Sequence, residues 1–153
     1  AGNGSTIAAG SAGLTKAKVL STFVAMNEAD IPDDGNRYFI VSPEGWADLL
    51  GIDEFVNTDY IGAGGLPFPS GVTAKNWLGF TFFMHSALPI STNDRKCFAY
   101  HKSAIGTATG SDVRTEVNYI PEKVSNLVTS YMSMGSIAVD SNGIWEVVID
   151  ESV

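Results

Sequence analysis

RYFIVSPEGWADLLG, residues 37–51, reads as strand, cap and helix in succession. Tyr38-Phe39-Ile40-Val41 is short, β-branched and aromatic, the composition of a buried strand. Ser42-Pro43-Glu44 then offers a side-chain acceptor for a helix N-cap, a proline suited to the first helical position, and a carboxylate favourable to the helix dipole. Trp46, Leu49 and Leu50 give that helix its apolar side, and Gly51 is placed to end it in the left-handed conformation.

Upstream, Thr15 is a good N-cap, and Val19, Leu20, Phe23, Ala25 and Met26 line one side of a helix expected over 16–29. Ile31-Pro32 ends it, because a residue before proline is pushed out of the helical region. Asp33-Asp34-Gly35-Asn36 is a turn cluster. Residues 1–13 are rich in Gly, Ala and Ser and read as a flexible lead. They lack a basic region and an apolar run, so no signal peptide is expected, and with no initiating Met the chain reads as a fragment or a processed product.

Downstream, residues 53–71 carry Gly62, Gly64, Gly65, Pro67 and Pro69 and read as one long loop, a class that is commonly functional or partner-facing. Residues 72–77 and 80–85 suggest a strand pair broken at Gly79, and 97–101 another short strand. Residues 103–106 suggest a helical turn, and 113–119 an extended stretch. Over 122–135 the spacing of Val124, Leu127, Val128, Tyr131 and Met132 fits a helix while the abundance of Val, Thr, Tyr and Ser fits a strand. Ile137-Ala138-Val139, the turn Asp140-Ser141-Asn142-Gly143 and 145–149 read as a hairpin. The class is α+β.

The 153 residues are enough for one ordinary domain with its own core. A single cysteine rules out an internal disulfide, a four-thiolate zinc site and a Cys-x-x-Cys redox pair. A net charge of −8 argues against a nucleic-acid-binding module. That charge is concentrated: residues 28–59 hold nine acids and only Arg37 among bases, while the remainder is balanced. Such a lobe aids solubility and repels a polyanion nearby. With 44% apolar and only 17% charged residues, part of the surface is expected to be covered by partners. The most apolar run, 77–90, is too short and too interrupted to span a membrane.

Chemistry-bearing motifs are sparse. Cys97 and His101, four apart on a strand, lie about 13 Å apart and cannot share a metal or form a thiol–imidazole pair. A site built from His85, His101 and a distant acid is the enzymatic alternative, a small hydrolase; a monomeric binding module is another. Gly62-Ala63-Gly64-Gly65 is followed by Leu66-Pro67-Phe68-Pro69, which cannot open the helix that phosphate binding needs. Asp30, Asp33 and Asp34 lack the bidentate Glu of a calcium loop, and Asp53-Glu54 reads as a solvated pair. No catalytic, cofactor-binding or metal-binding residue is assigned.

Arg37 to Pro43 with Trp46-Ala47-Asp48-Leu49-Leu50, then Asn76-Trp77-Leu78-Gly79-Phe80, Ser86-Ala87-Leu88-Pro89, His101 to Thr107 and Tyr131-Met132-Ser133-Met134-Gly135 resemble, in this order, the second half of a tailed-bacteriophage major capsid protein of the podovirus type. The resemblance spans about 14–149 and implies the capsid fold shared by tailed phages, herpesvirus shells and encapsulins. It implies a spine helix and long strands of a peripheral domain at 14–36 and 110–153, and an axial domain at 37–109. It also resolves 122–135 towards strand, and the family's N-terminal arm and extended loop would precede this chain. The implied function is a structural subunit of a virion shell, icosahedral or prolate, around double-stranded DNA that is enclosed without sequence-specific binding. Partners implied are copies of itself in hexamers and pentamers, with scaffolding, portal or decoration proteins, and no membrane. Location would be the virion, assembled in the host cytoplasm, with an encapsulin-like compartment as the alternative. The 53–76 loop and Gly106–Gly110 are expected at subunit contacts near the capsomer axis.

Overall fold

Thr15 caps α1 (Lys16–Glu28) from an extended backbone, its side chain accepting from the Lys18 N–H. The computed structural model describes residues 6–56 and 74–152. Ser42 caps α2 (Pro43–Leu50) in the same way, accepting from the Gly45 N–H with Pro43 in the first turn. A third helix, α3 (Asp53–Val56), follows at once. Gly51 ends α2 with φ −79°, an ordinary right-handed conformation rather than the left-handed one expected; its N–H reaches the Ala47 and Asp48 carbonyls, which needs no positive φ.

The main sheet runs β1 (Thr6–Ile7), β9 (Ile144–Asp150), β6 (Asp94–His101), β2 (Arg37–Val41), β4 (Phe80–Met84), β3 (Ala74–Trp77), with β5 (Ile90–Ser91) attached to β6. β2 lies parallel to β4 and antiparallel to β6, and β3–β4 is a hairpin. Its turn puts Leu78 and Gly79 at φ 47° and 76°, the two left-handed positions of a tight hairpin turn. Alternate residues of each strand are buried: Phe39 and Val41, Phe80 and Phe82, Cys97 and Ala99, Val147 and Ile149. Val19 and Met26 of α1, Leu49 of α2 and Phe55 of α3 complete this core, so the helices cover one face of the sheet. Phe82 is its centre, with Phe39 stacked at 4.9 Å and Phe55, Trp77 and Phe80 within 6.1 Å.

Two buried cations pin the chain to this core. The Lys18 Nζ donates to the Ala12, Gly13 and Val148 carbonyls, and burial holds its ammonium below the usual range. Arg37, fully buried, donates to the Ile31 carbonyl, to Pro32 O at 3.0 Å and to Asn27 Oδ1 at 2.7 Å, satisfying acceptors in the last turn of α1 and just beyond it. Its guanidinium also lies 5.7 Å from the Phe23 ring.

Among the described residues the remaining strands, β7 (Ile105–Ile120) and β8 (Ser125–Ala138), pair only with each other. Three expectations change here. The hairpin read at 137–149 does not form: β8 returns along β7, and β9 instead pairs with β6 over Asp94–Tyr100. α1 is 13 residues, about 20 Å long, and lies on the same core as β2 and β4, which also takes in β9. The lead at 1–13 contributes β1, parallel to β9. The loop expected from 53 begins as α3, and 57–73 lie outside the described residues.

Candidate assembly surface

β7 and β8 form an arm of 16 and 14 residues, about 50 Å long at the rise of a strand. A 3₁₀ turn, Pro121–Lys123, and Val124 in the left-handed region close its tip. Every residue of β8 is exposed. Paired residues of an antiparallel ladder share a face. Tyr119–Asn126, Val117–Val128 and Thr115–Ser130 therefore define one side, to which alternation adds Met132 and Met134 from β8 and Val113 from β7. Val117 is 64% exposed, Val128 60% and Met134 58%. The six apolar side chains expose on the order of 600 Å², the upper limit of the largest apolar patch on a typical monomer. The opposite side carries Arg114, Glu116, Asn118 and Tyr131, whose hydroxyl donates to Glu116.

The arm leaves the body through a fixed root. His101 ends β6, and a 3₁₀ turn, Lys102–Ala104, leads into β7. The His101 Nδ1 accepts from the Ser103 N–H at 3.3 Å and lies 2.7 Å from Ser103 Oγ; Nε2 lies 3.0 Å from Asp34 Oδ1 in the α1–β2 loop. The Lys102 N–H donates to the Asn36 carbonyl, and on the return strand the Val139 N–H donates to Ala104 O at 2.8 Å. The Asn36 side chain, His101 and the Asn36 N–H together hold the Asp34 carboxyl below the usual range. A carboxyl depressed in the fold stabilises it fully above the unfolded value of about 4 and loses that contribution as pH falls through the folded value. Asp34→Ala is therefore expected to lower the urea midpoint at pH 7, with the deficit shrinking below about pH 4. A deficit unchanged down to pH 2 would show that the carboxylate's charge is not what holds the root.

The residues considered for chemistry do not converge. His85 follows β4 at the end of β2 marked by Val41, whereas His101 faces Arg37 at the other end. The His85 ring is exposed and accepts from the Ala87 N–H. Cys97 is buried on the face of β6 that also holds His101, and burial pushes its thiol up to about 11, so it is not a nucleophile. Glu54 pairs with Lys16 in an exposed ion pair. Among the described residues no group of three His, Cys, Asp or Glu could hold a metal, and no helix is long and apolar enough to cross a membrane. Gly62–Gly65 lie outside the described residues. The contact between Asp34 and His101 was not foreseen; 67 residues apart, they leave no local pattern.

The fold is found in viral shells. A structure from Mycobacterium phage Che8 aligns with a TM-score of 0.69 at 20% identity, over 95% of this chain and 53% of that one. The capsid of the cyanophage P-SCSP1u aligns with a TM-score of 0.65 at 20% identity, over 95% and 53%. The SrpI encapsulin complex of Synechococcus elongatus PCC 7942 aligns with a TM-score of 0.65 at 9% identity, over 99% and 55%. The chain thus spans about half the length of these solved structures. No curated protein matches it. The family model described as phage capsid protein matches residues 2–151, and the chain belongs to that family.

Proposed function

We propose that this chain is a structural subunit of a virion shell, assembling with copies of itself into the hexamers and pentamers of an icosahedral or prolate capsid around packaged double-stranded DNA. The observation that carries this reading is the arm. Two long strands with no helix over either face among the described residues keep apolar side chains in water, and such a ribbon is stable only when further strands or a partner cover it. The second exposed resource is the uncovered face of the main sheet, where Tyr38 stacks on Tyr100 at 5.6 Å and meets Phe83 edge-on. Aromatic side chains half in water are the usual anchors of protein interfaces. Gly106–Gly110, at the base of the arm, belongs to the same contact surface in this reading.

Enclosed DNA fits the charge. The acids of residues 28–59 repel a polyanion, so the shell can hold DNA without gripping it. Scaffolding, portal or decoration proteins would be the remaining partners, and the virion, assembled in the host cytoplasm, the location. An encapsulin-like compartment shares the fold; the family match favours the virion. Negative-stain microscopy of particles, with nuclease-protected nucleic acid measured on the same sample, separates them. Closed shells holding double-stranded DNA are expected. Shells with protein cargo and no DNA would favour the compartment, and absence of shells would remove both.

A further inference from the structure

The two outer edges of the arm differ. β7 departs from regular pairing twice, between Thr109 and Ser111 and between Ser111 and Arg114, and carries Asp112, Arg114 and Glu116. Bulges and charges are what natural proteins use to prevent an edge from pairing. β8 has neither. Its fourteen residues include no Asp, Glu, Lys, Arg or Pro, and it advances one residue at a time along the ladder except at Met132, which is passed over between Ser133 and Tyr131. An exposed, uncharged edge is a template for another strand.

We propose that the outer edge of β8 pairs antiparallel with β8 of a second copy, joining two arms into a four-stranded sheet ordered β7-β8-β8′-β7′. The inference rests on the self-assembly reading above and names the strand through which two copies meet. Charge selects this occupant. Each copy carries −8, concentrated in 28–59 on the body, so two copies repel unless they meet far from those acids. Beyond the root, β8 runs out along an arm several times longer than the ~8 Å screening length at physiological salt. Pairing β8 with itself places no charge opposite another in any register. Pairing β7 with itself about Arg114 would instead set Arg114 against Arg114 and Asp112 against Glu116.

The two-fold axis of an antiparallel pair stands perpendicular to the sheet, so both apolar sides end up facing the same way. The stripes of Val117, Val128, Met132 and Met134 then merge into one surface of on the order of 1,000 Å², enough to bind a further element of the shell. Four strands also turn a marginal two-stranded ribbon into a sheet wide enough to persist.

The test is a set of single cysteine substitutions in the whole chain: Thr129→Cys, Ser130→Cys, Tyr131→Cys, Met132→Cys and Ser133→Cys in β8, with Thr107→Cys and Thr115→Cys in β7 as comparison. The native Cys97 is buried, so the wild-type chain sets the background. Under mild oxidation the β8 residue nearest the two-fold axis should give roughly tenfold or more disulfide-linked dimer over wild type, because an antiparallel pair holds its Cα atoms within the span that a disulfide bridges. Yield should fall on either side of that position, and the β7 variants should stay at background. Amide exchange on the wild-type chain gives an independent readout: β8 should slow with rising concentration more than β7. If sedimentation shows association while no β8 cysteine cross-links, or the β7 cysteines cross-link instead, the edge assignment is overturned and the shell reading stands. A chain that remains monomeric at every concentration overturns both.

Discussion

Replacing residues 107–136 with an Asn-Gly turn is expected to leave a folded body and to abolish self-association. The cut is clean because Gly106 and Ile137 face each other across the ladder, so a tight turn can close the shortened strands. None of the fully buried apolar side chains lies in the excised segment. The core under α1, α2 and α3 and the pairing of β9 with β6 remain whole. Circular dichroism and the denaturation midpoint should therefore stay close to those of the parent, while sedimentation velocity shifts to a single monomeric species. Association that survives the excision would move the interface to the half-buried aromatic face around Tyr38 and Tyr100. Loss of the folded body would mean that the arm supports the core, contrary to its exposure.

Phe82→Ala should have the largest effect on the body itself. The ring is fully buried among Phe39, Phe55, Trp77 and Phe80, aromatic neighbours that are too large to collapse into the space left behind. Removing such a side chain costs about 3–5 kcal/mol through lost transfer energy and the residual cavity. Against a typical total of about 5–15 kcal/mol, that takes a large fraction of the stability. Urea denaturation followed by tryptophan fluorescence measures it, since Trp77 and Trp46 both touch Phe55 beside the site. A loss below about 1 kcal/mol would mean that the site repacks and that the aromatic cluster is not the centre of the core.

These effects divide as the sequence information does. The caps at Thr15 and Ser42, the strand at 37–41 and the hairpin turn at Leu78-Gly79 are set by residues a few positions apart, and each was readable. Partners of strands were not. Asp140-Ser141-Asn142-Gly143 has the composition of a hairpin turn, yet it redirects the chain from the arm back into the main sheet, where Cys97 meets Val147. Nothing local distinguishes the two outcomes, because the choice is made by which apolar face finds the core. The arm was ambiguous for a related reason. β8 puts Leu127 and Tyr131 on one side and Val128 and Met132 on the other, so its apolar residues do not alternate strictly, and Val124, Leu127, Val128 and Tyr131 matched a helical spacing equally well. The family resemblance resolved that segment towards strand, as β8 shows.

The unforeseen root of the arm has the same origin. Asp34 belongs to a turn cluster and His101 to a strand end, each ordinary alone. Only the antiparallel register of β2 and β6, with Arg37 opposite His101, brings the α1–β2 loop to the start of the arm. That geometry fixes where the arm leaves the body.

Electron cryomicroscopy of the proposed shell shows whether neighbouring copies cover the arm. Residues 105–138 are expected to be covered by neighbouring copies, with Val117, Val128 and Met134 out of water and the body unchanged. An arm left bare in the assembled particle, its apolar side chains still facing solvent, would contradict this expectation.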